Sequence, residues 1–170
     1  QTEIRSLNEF DTFIRDGRSA EIVRKVMTPE FEPLSKLIHS QKPFGLRSYF
    51  VPAKTGSIRL LASPSDGFVE ADQIEKNLSL VYEWKVMVSK TASEHAGQSS
   101  NDGSKKVLSR ISQLPPGSAC TETYLVIGPL KNEAQAKNLE AYMKTKFFRF
   151  LLSLRLITQN ISRDSFNFVP

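Results

Sequence analysis

Only one cysteine, Cys120, occurs in 170 residues, so no disulfide can form within the chain. A reducing compartment is the simpler setting, and a cytoplasmic location is expected. Histidine is almost as scarce: His39 and His95 are the two present. With a single cysteine beside them, the Cys/His spacing of a zinc site does not exist. Cys120 opens an apolar stretch, which fits a small buried hydrophobe better than a nucleophile. Glycine-rich phosphate loops of either common type are missing. No apolar run approaches the ~20 residues that span a bilayer. The amino terminus is polar and charged, unlike a secretory signal. A membrane partner is therefore not expected.

What remains is a globular composition, 39% hydrophobic and 24% charged, with a net charge of +5. That size suits one ordinary domain, and the basic excess fits a polyanionic partner. The chain begins at Gln1, not Met, and closes on Val169-Pro170, which reads as a piece of something longer.

The pattern along the chain mixes helices and strands without regular alternation or repeat. Residues 1–34 read as an N-terminal helical segment, two short helices joined at Gly17, followed by residues 35–170 as the main domain. Pro33 can start a further short helix. Strands are expected at 57–62, 80–88, 107–111 and 121–127, with a short helix at 69–77. Gly128-Pro129 should stop the last strand. Residues 91–106 lack apolar periodicity and read as a long polar loop, the kind that is functional or disordered. From Glu133 to Arg155, Ala136, Leu139, Met143, Phe147, Phe150, Leu151 and Leu154 recur at three-and-four spacing, which predicts one long amphipathic helix. The fold class is thus α/β (mixed α+β), a small central sheet with that long C-terminal helix packed on it.

Two side-chain sets carry chemistry. Asp66, then Glu83 and Lys85 on a following strand, matches the layout in which DNA nucleases hold a divalent metal and activate water. The ordinary alternative is a turn aspartate and a solvent-facing Glu and Lys. The second set is cationic: Arg47 beside Ser48, Lys85, Lys90, Lys105, Lys106, Arg110, Lys144 and Arg163. Such residues either form a solvated surface or track phosphates, with hydroxyls adding neutral hydrogen bonds. A third possibility is a protein-interaction module using the apolar segment 147–154.

Four stretches add to this reading. They are Lys42-Pro43-Phe44-Gly45-Leu46-Arg47, then 83–90 (Glu-Trp-Lys-Val-Met-Val-Ser-Lys), then 121–128 (Thr-Glu-Thr-Tyr-Leu-Val-Ile-Gly), and finally 142–154, with its Thr-Lys-Phe-Phe-Arg-Phe-Leu core. Together they resemble, in order over roughly residues 35–170, the target-recognition region of bacterial restriction–modification adenine-specific DNA methyltransferases, some of which are fused to a nuclease. The resemblance implies a division of labour. A separate domain of the same protein binds S-adenosylmethionine and grips the flipped adenine with an Asn-Pro-Pro-Tyr/Phe motif. No Asn-Pro dipeptide occurs in this chain. The implied role is sequence-specific recognition of double-stranded DNA without catalysis, a cofactor site or a metal. The named cations and Ser48 would form the contacts, and loops would enter the major groove.

Overall fold

A computed structural model describes residues 6, 8–39, 41–91, 107–156, 158 and 160–170. The fold is mixed α+β, built in three layers. Its centre is a four-stranded antiparallel sheet in the order β1 (Ile38–His39), β7 (Tyr124–Leu130), β4 (Trp84–Ser89), β5 (Ile111–Leu114). On one face lie α1 (Gly17–Val26), α3 (Glu133–Met143) and α4 (Lys146–Ser153). On the other lies a second sheet, β3 (Gly67–Val69), β2 (Ile58–Leu61) and β6 (Ser118–Cys120), in which β2 and β6 run parallel. Among the described residues the one further α-helix, α2 (Leu78–Val81), is a single turn leading into β4.

Alternation along the central strands assigns each side chain to a layer. Val86, Val88, Leu125 and Ile127 face the helices, where Met143, Phe148, Leu151 and Leu152 complete the cluster. Met87, Leu114, Tyr124 and Val126 face the second sheet and meet Ile58, Leu60, Ala119 and Cys120. With both faces covered, β4 and β7 are buried nearly throughout. This is why Val86-Met87-Val88 and Tyr124-Leu125-Val126-Ile127 are uninterrupted apolar runs. Ile14, Ala20 and Val23 belong to the helix-side cluster, so the N-terminal segment shares the core of residues 35–170. The far end of the chain is tied in as well. The Leu34 amide donates to the Val169 carbonyl at 2.8 Å.

The expected long C-terminal helix is two helices. Thr145 breaks it: its backbone is extended, and its hydroxyl accepts from the Phe148 amide at 3.1 Å, capping α4. The break rotates the apolar face. Phe148, Leu151 and Leu152 are buried, while Phe147 is 43% exposed and Phe150 and Leu154 are only partly covered. The core of the segment therefore turns inward, and Phe147 is the residue of 147–154 that keeps the most exposed apolar side chain.

Other expectations shift for local reasons. Leu80 and Val81, expected to extend, instead close the helical turn Leu78–Val81, and Asn77 ahead of it adopts positive φ with its amide donating to the Pro43 carbonyl at 2.7 Å. Residues 67–69 pair as β3, and the expected helix shrinks to a 3-10 turn at Ala71–Gln73. Of the two N-terminal helices, only the second forms among the described residues; residues 8–16 make turns, and Asp16 caps α1. The strand expected at 107–111 begins only at Ile111. Gly128-Pro129 does not stop β7 either. The pair falls at an irregularity opposite Lys85, and pairing resumes at Trp84 with Leu130. A proline fits where ladder bonds are already interrupted. A Cβ at Gly128 would sit 3.0 Å from the Lys85 Cβ and 3.3 Å from the Trp84 carbonyl oxygen, so the close approach of the two strands favours glycine.

Candidate nucleic-acid interface

Three of the cations singled out in the sequence meet at one end of the central sheet. They surround a tight turn at residues 121–124, closed by a hydrogen bond from the Tyr124 amide to the Thr121 carbonyl at 3.2 Å. The turn is stitched to its neighbours through its backbone. The Thr121 amide donates to the Leu61 carbonyl at 3.1 Å, and the Glu122 amide to the Leu46 carbonyl at 2.9 Å. On the remaining side the Lys90 amide donates to the Thr123 carbonyl at 3.1 Å. Buried Phe44 and Leu46 anchor the first loop beneath Arg47.

Each cation arrives from a different segment. Arg47 pairs with Glu122 at 3.6 Å, and the neighbouring Ser48 amide donates to the same carboxylate at 3.1 Å. Arg110 precedes β5. Its guanidinium donates to the Tyr124 hydroxyl at 3.1 Å, lies over the Tyr124 ring, and pairs with Asp66 at 3.7 Å. Lys90 is half-buried at the end of β4. Burial pulls its ammonium below the ordinary value, and nearby Glu122 opposes that shift. Three cations against two carboxylates leave one positive charge in excess. Ion pairs at such exposed sites are worth only ~0–1 kcal/mol, so an incoming phosphate or guanine edge can displace a carboxylate from an arginine already held in place.

Hydroxyls and an exposed ring edge the cluster. The Thr121 and Thr123 hydroxyls bond at 3.2 Å, and Tyr49 is 79% exposed two residues from Arg47. Thr91 bridges Asn160, and the Ser109 hydroxyl donates to the Thr91 carbonyl at 2.8 Å. Lys105 and Lys106, with the loop and His95, lie outside the described residues.

Lys85 must be removed from the interface. It lies on the central strand of a sheet covered on both faces, and its side chain is fully buried. Its ammonium donates to the Glu83 carbonyl at 2.9 Å and the Val81 carbonyl at 3.1 Å. Burial brings its pKa from 10.5 down to about 8. The nuclease layout loses its activating group for the same reason. Asp66 is used elsewhere, accepting from the Ala62 amide at 3.1 Å and pairing with Arg110. Among the described residues no group of three or more His, Cys, Asp or Glu side chains is arranged to hold a metal ion. Cys120 is the buried hydrophobe its context implies, with burial pushing its thiol up to about 12.

Lys144 and Arg163 stand apart from the 121–124 turn. Lys144 pairs with Glu140 at 2.6 Å one helical turn back. Hydrogen bonds from Lys144 and Gln113 hold the Glu140 carboxyl below its ordinary pKa. Arg163 donates from Nε to the Ser35 carbonyl at 2.9 Å, a brace between two 3-10 turns. Sequence reasoning missed Glu122, Tyr124 and Asp66 as the groups that orient the arginines. Only the packing of loops 46–48 and 61–66 against the 121–124 turn brings them together.

Comparison with protein-family models, with curated proteins and with solved structures returned no match. Among the described residues no helix is long and apolar enough to cross a membrane.

Proposed function

We propose that the chain is the DNA target-recognition domain of a restriction–modification adenine methyltransferase, non-catalytic in itself. One observation carries this reading: Arg47, Lys90 and Arg110, far apart in sequence, converge on the 121–124 turn. Three of the four stretches that resemble the family contribute to that place. The first ends at Arg47, the second ends at Lys90, and the third begins at Thr121.

In this reading Arg47 reads a base edge. Its guanidinium is held by a single carboxylate at 3.6 Å, which leaves nitrogens for the bidentate contact that guanine accepts. Arg110 is held from two sides and presents its charge to phosphate. Lys90 meets phosphate, and Tyr49 offers a face for stacking. S-adenosylmethionine and the flipped adenine belong to a methyltransferase domain of the same protein, working in the cytoplasm.

Duplex binding by three alanine variants tests the proposal. Arg47→Ala and Arg110→Ala should weaken binding and lower the salt slope by about one unit each, or cost ~1–3 kcal/mol at a single base pair if the contact is to a base. Lys131→Ala is the control. It follows β7 at the opposite end, about 20 Å from Tyr124 by strand rise. Equal weakening by all three would reduce the effect to bulk charge. No duplex binding at low salt by the unaltered protein sinks the reading.

A further inference from the structure

Beyond the 121–124 turn, Arg110 also borders a second feature. A cleft of about 290 Å³ opens between the lead-in to β5 and the junction of α3 with α4. Its polar lining is Ser109, Arg110, Lys144 and Arg149, over an apolar floor that includes Leu108 and Met143. None of the lining residues is acidic.

The three cations differ in how they are held. Lys144 leans on Glu140 and Arg110 on Asp66, both carboxylates outside the lining. Arg149 donates through Nε to the Thr145 carbonyl at 3.2 Å and pairs with no carboxylate among the described residues. Among the described residues neither terminal nitrogen of Arg149 has a hydrogen-bond partner. The break at Thr145 is what produces this geometry, since one continuous helix would carry Arg149 round with the rest of its face.

We infer that this cleft is a phosphate-binding site, with Arg149 as its principal donor and Lys144, Arg110 and the Ser109 hydroxyl completing the shell. The size argues for a small group: the volume falls just below the ~300–1,000 Å³ of pockets that enclose drug-sized ligands. A planar guanidinium fork beside an ammonium matches the oxygens of a phosphate ester. Two sources share this chemistry, a phosphodiester of the DNA backbone and a free phosphate or small phosphate ester. The inference deepens the DNA reading and rests on it only for the source.

The test follows the cleft by NMR, through the Arg149 Nε–H and the amides of Ser109, Arg110 and Lys144. Inorganic phosphate and a short DNA duplex are titrated separately into the unaltered protein, Arg149→Gln and Lys144→Gln. Both altered side chains lie at the surface, and their spectra report directly whether the fold survives. Saturable shifts at the cleft with phosphate, lost in Arg149→Gln, establish the site. If the duplex shifts the same signals and Arg149→Gln binds it roughly eightfold more weakly near 0.1 M salt, the amount one released counterion supplies, the source is the DNA backbone. Should phosphate bind while the duplex does not, the cleft stands for a free phosphate ester and the DNA reading falls. Cleft signals unmoved by phosphate, or equally moved in Arg149→Gln, overturn the inference. Duplex binding that still depends on Arg47 would then leave the DNA reading intact.

Discussion

The Lys85 ammonium donates to the Val81 carbonyl at 3.1 Å from a position closed to solvent. A buried cation held only by carbonyl dipoles is an expensive arrangement, and its cost should depend on pH. The pKa of Lys85 is about 8 in the fold against 10.5 ordinarily. Between those values the unfolded chain binds more protons than the folded one, so stability contributed by this residue rises with pH. The gain from pH 7 to pH 9 should be about 1 kcal/mol, from ~1.4 kcal/mol per unit above pH 8. Lys85→Met should lack that gain. Urea unfolding of both proteins at the two pH values checks it, and parallel pH dependences would count against a depressed Lys85.

Phe147 and Phe148 are neighbours with opposite fates. Phe148 is fully buried and packs edge-on against Tyr142 and Phe166, while Phe147 is 43% exposed. Phe148→Ala should cost ~3–5 kcal/mol, and Phe147→Ala should stay within ~0.5 kcal/mol. Thermal or urea unfolding of the pair tests the helix break at Thr145, because a continuous helix presenting Phe147 would reverse the order.

Gly128 should be intolerant of a single methyl. Gly128→Ala places a Cβ 3.0 Å from the Lys85 Cβ and 3.3 Å from the Trp84 carbonyl oxygen, so buried backbone on β4 must give way by a few tenths of an ångström. A loss of ~1–3 kcal/mol is expected, in line with overpacking elsewhere. An unchanged denaturation midpoint would show that β4 and β7 are less tightly apposed here than described.

Glu122 restrains Arg47, so its removal should be visible in binding. Glu122→Gln keeps an acceptor for the Ser48 amide and deletes one negative charge from the proposed interface. Binding to any duplex should strengthen, and discrimination between duplexes should decline because Arg47 is no longer aimed. Affinities for several sequences across a salt series test both halves. Weaker binding to all of them would place Glu122 in direct contact with the nucleic acid.

How much of this could be read from the chain depended on whether the signal was local. The burial of Cys120, the strand at Ile58–Leu61 and the mixed fold class follow from short-range pattern, and all are present. The apolar spacing of Met143, Phe147 and Phe150 carries through Thr145 and predicts a long helix there. A capping hydroxyl outweighed that spacing. Alternation places Lys85 on an open strand face among the reading cations, because alternation alone cannot show that β4 is covered on both faces. The sequence marks Arg47, Lys90 and Arg110 as cations on loops and strand ends, but their convergence depends on three loops meeting at residues 121–124, which no local pattern encodes. The polar stretch after Thr91 lies outside the described residues.

The way β4 and β5 close on each other bears on how such a protein could change. Val88 pairs with Ile111, the Ser89 amide donates to the Arg110 carbonyl at 3.0 Å, and Ser109 reaches across to Thr91. These bonds form a clasp at the root of the segment that joins the two strands. Loop closure grows only slowly with length, about 0.6 kcal/mol per doubling. Inheritance can therefore lengthen, shorten or replace that segment while the clasp keeps the sheet unaware of the exchange. A change of length there leaves the paired strands and the core behind them in place.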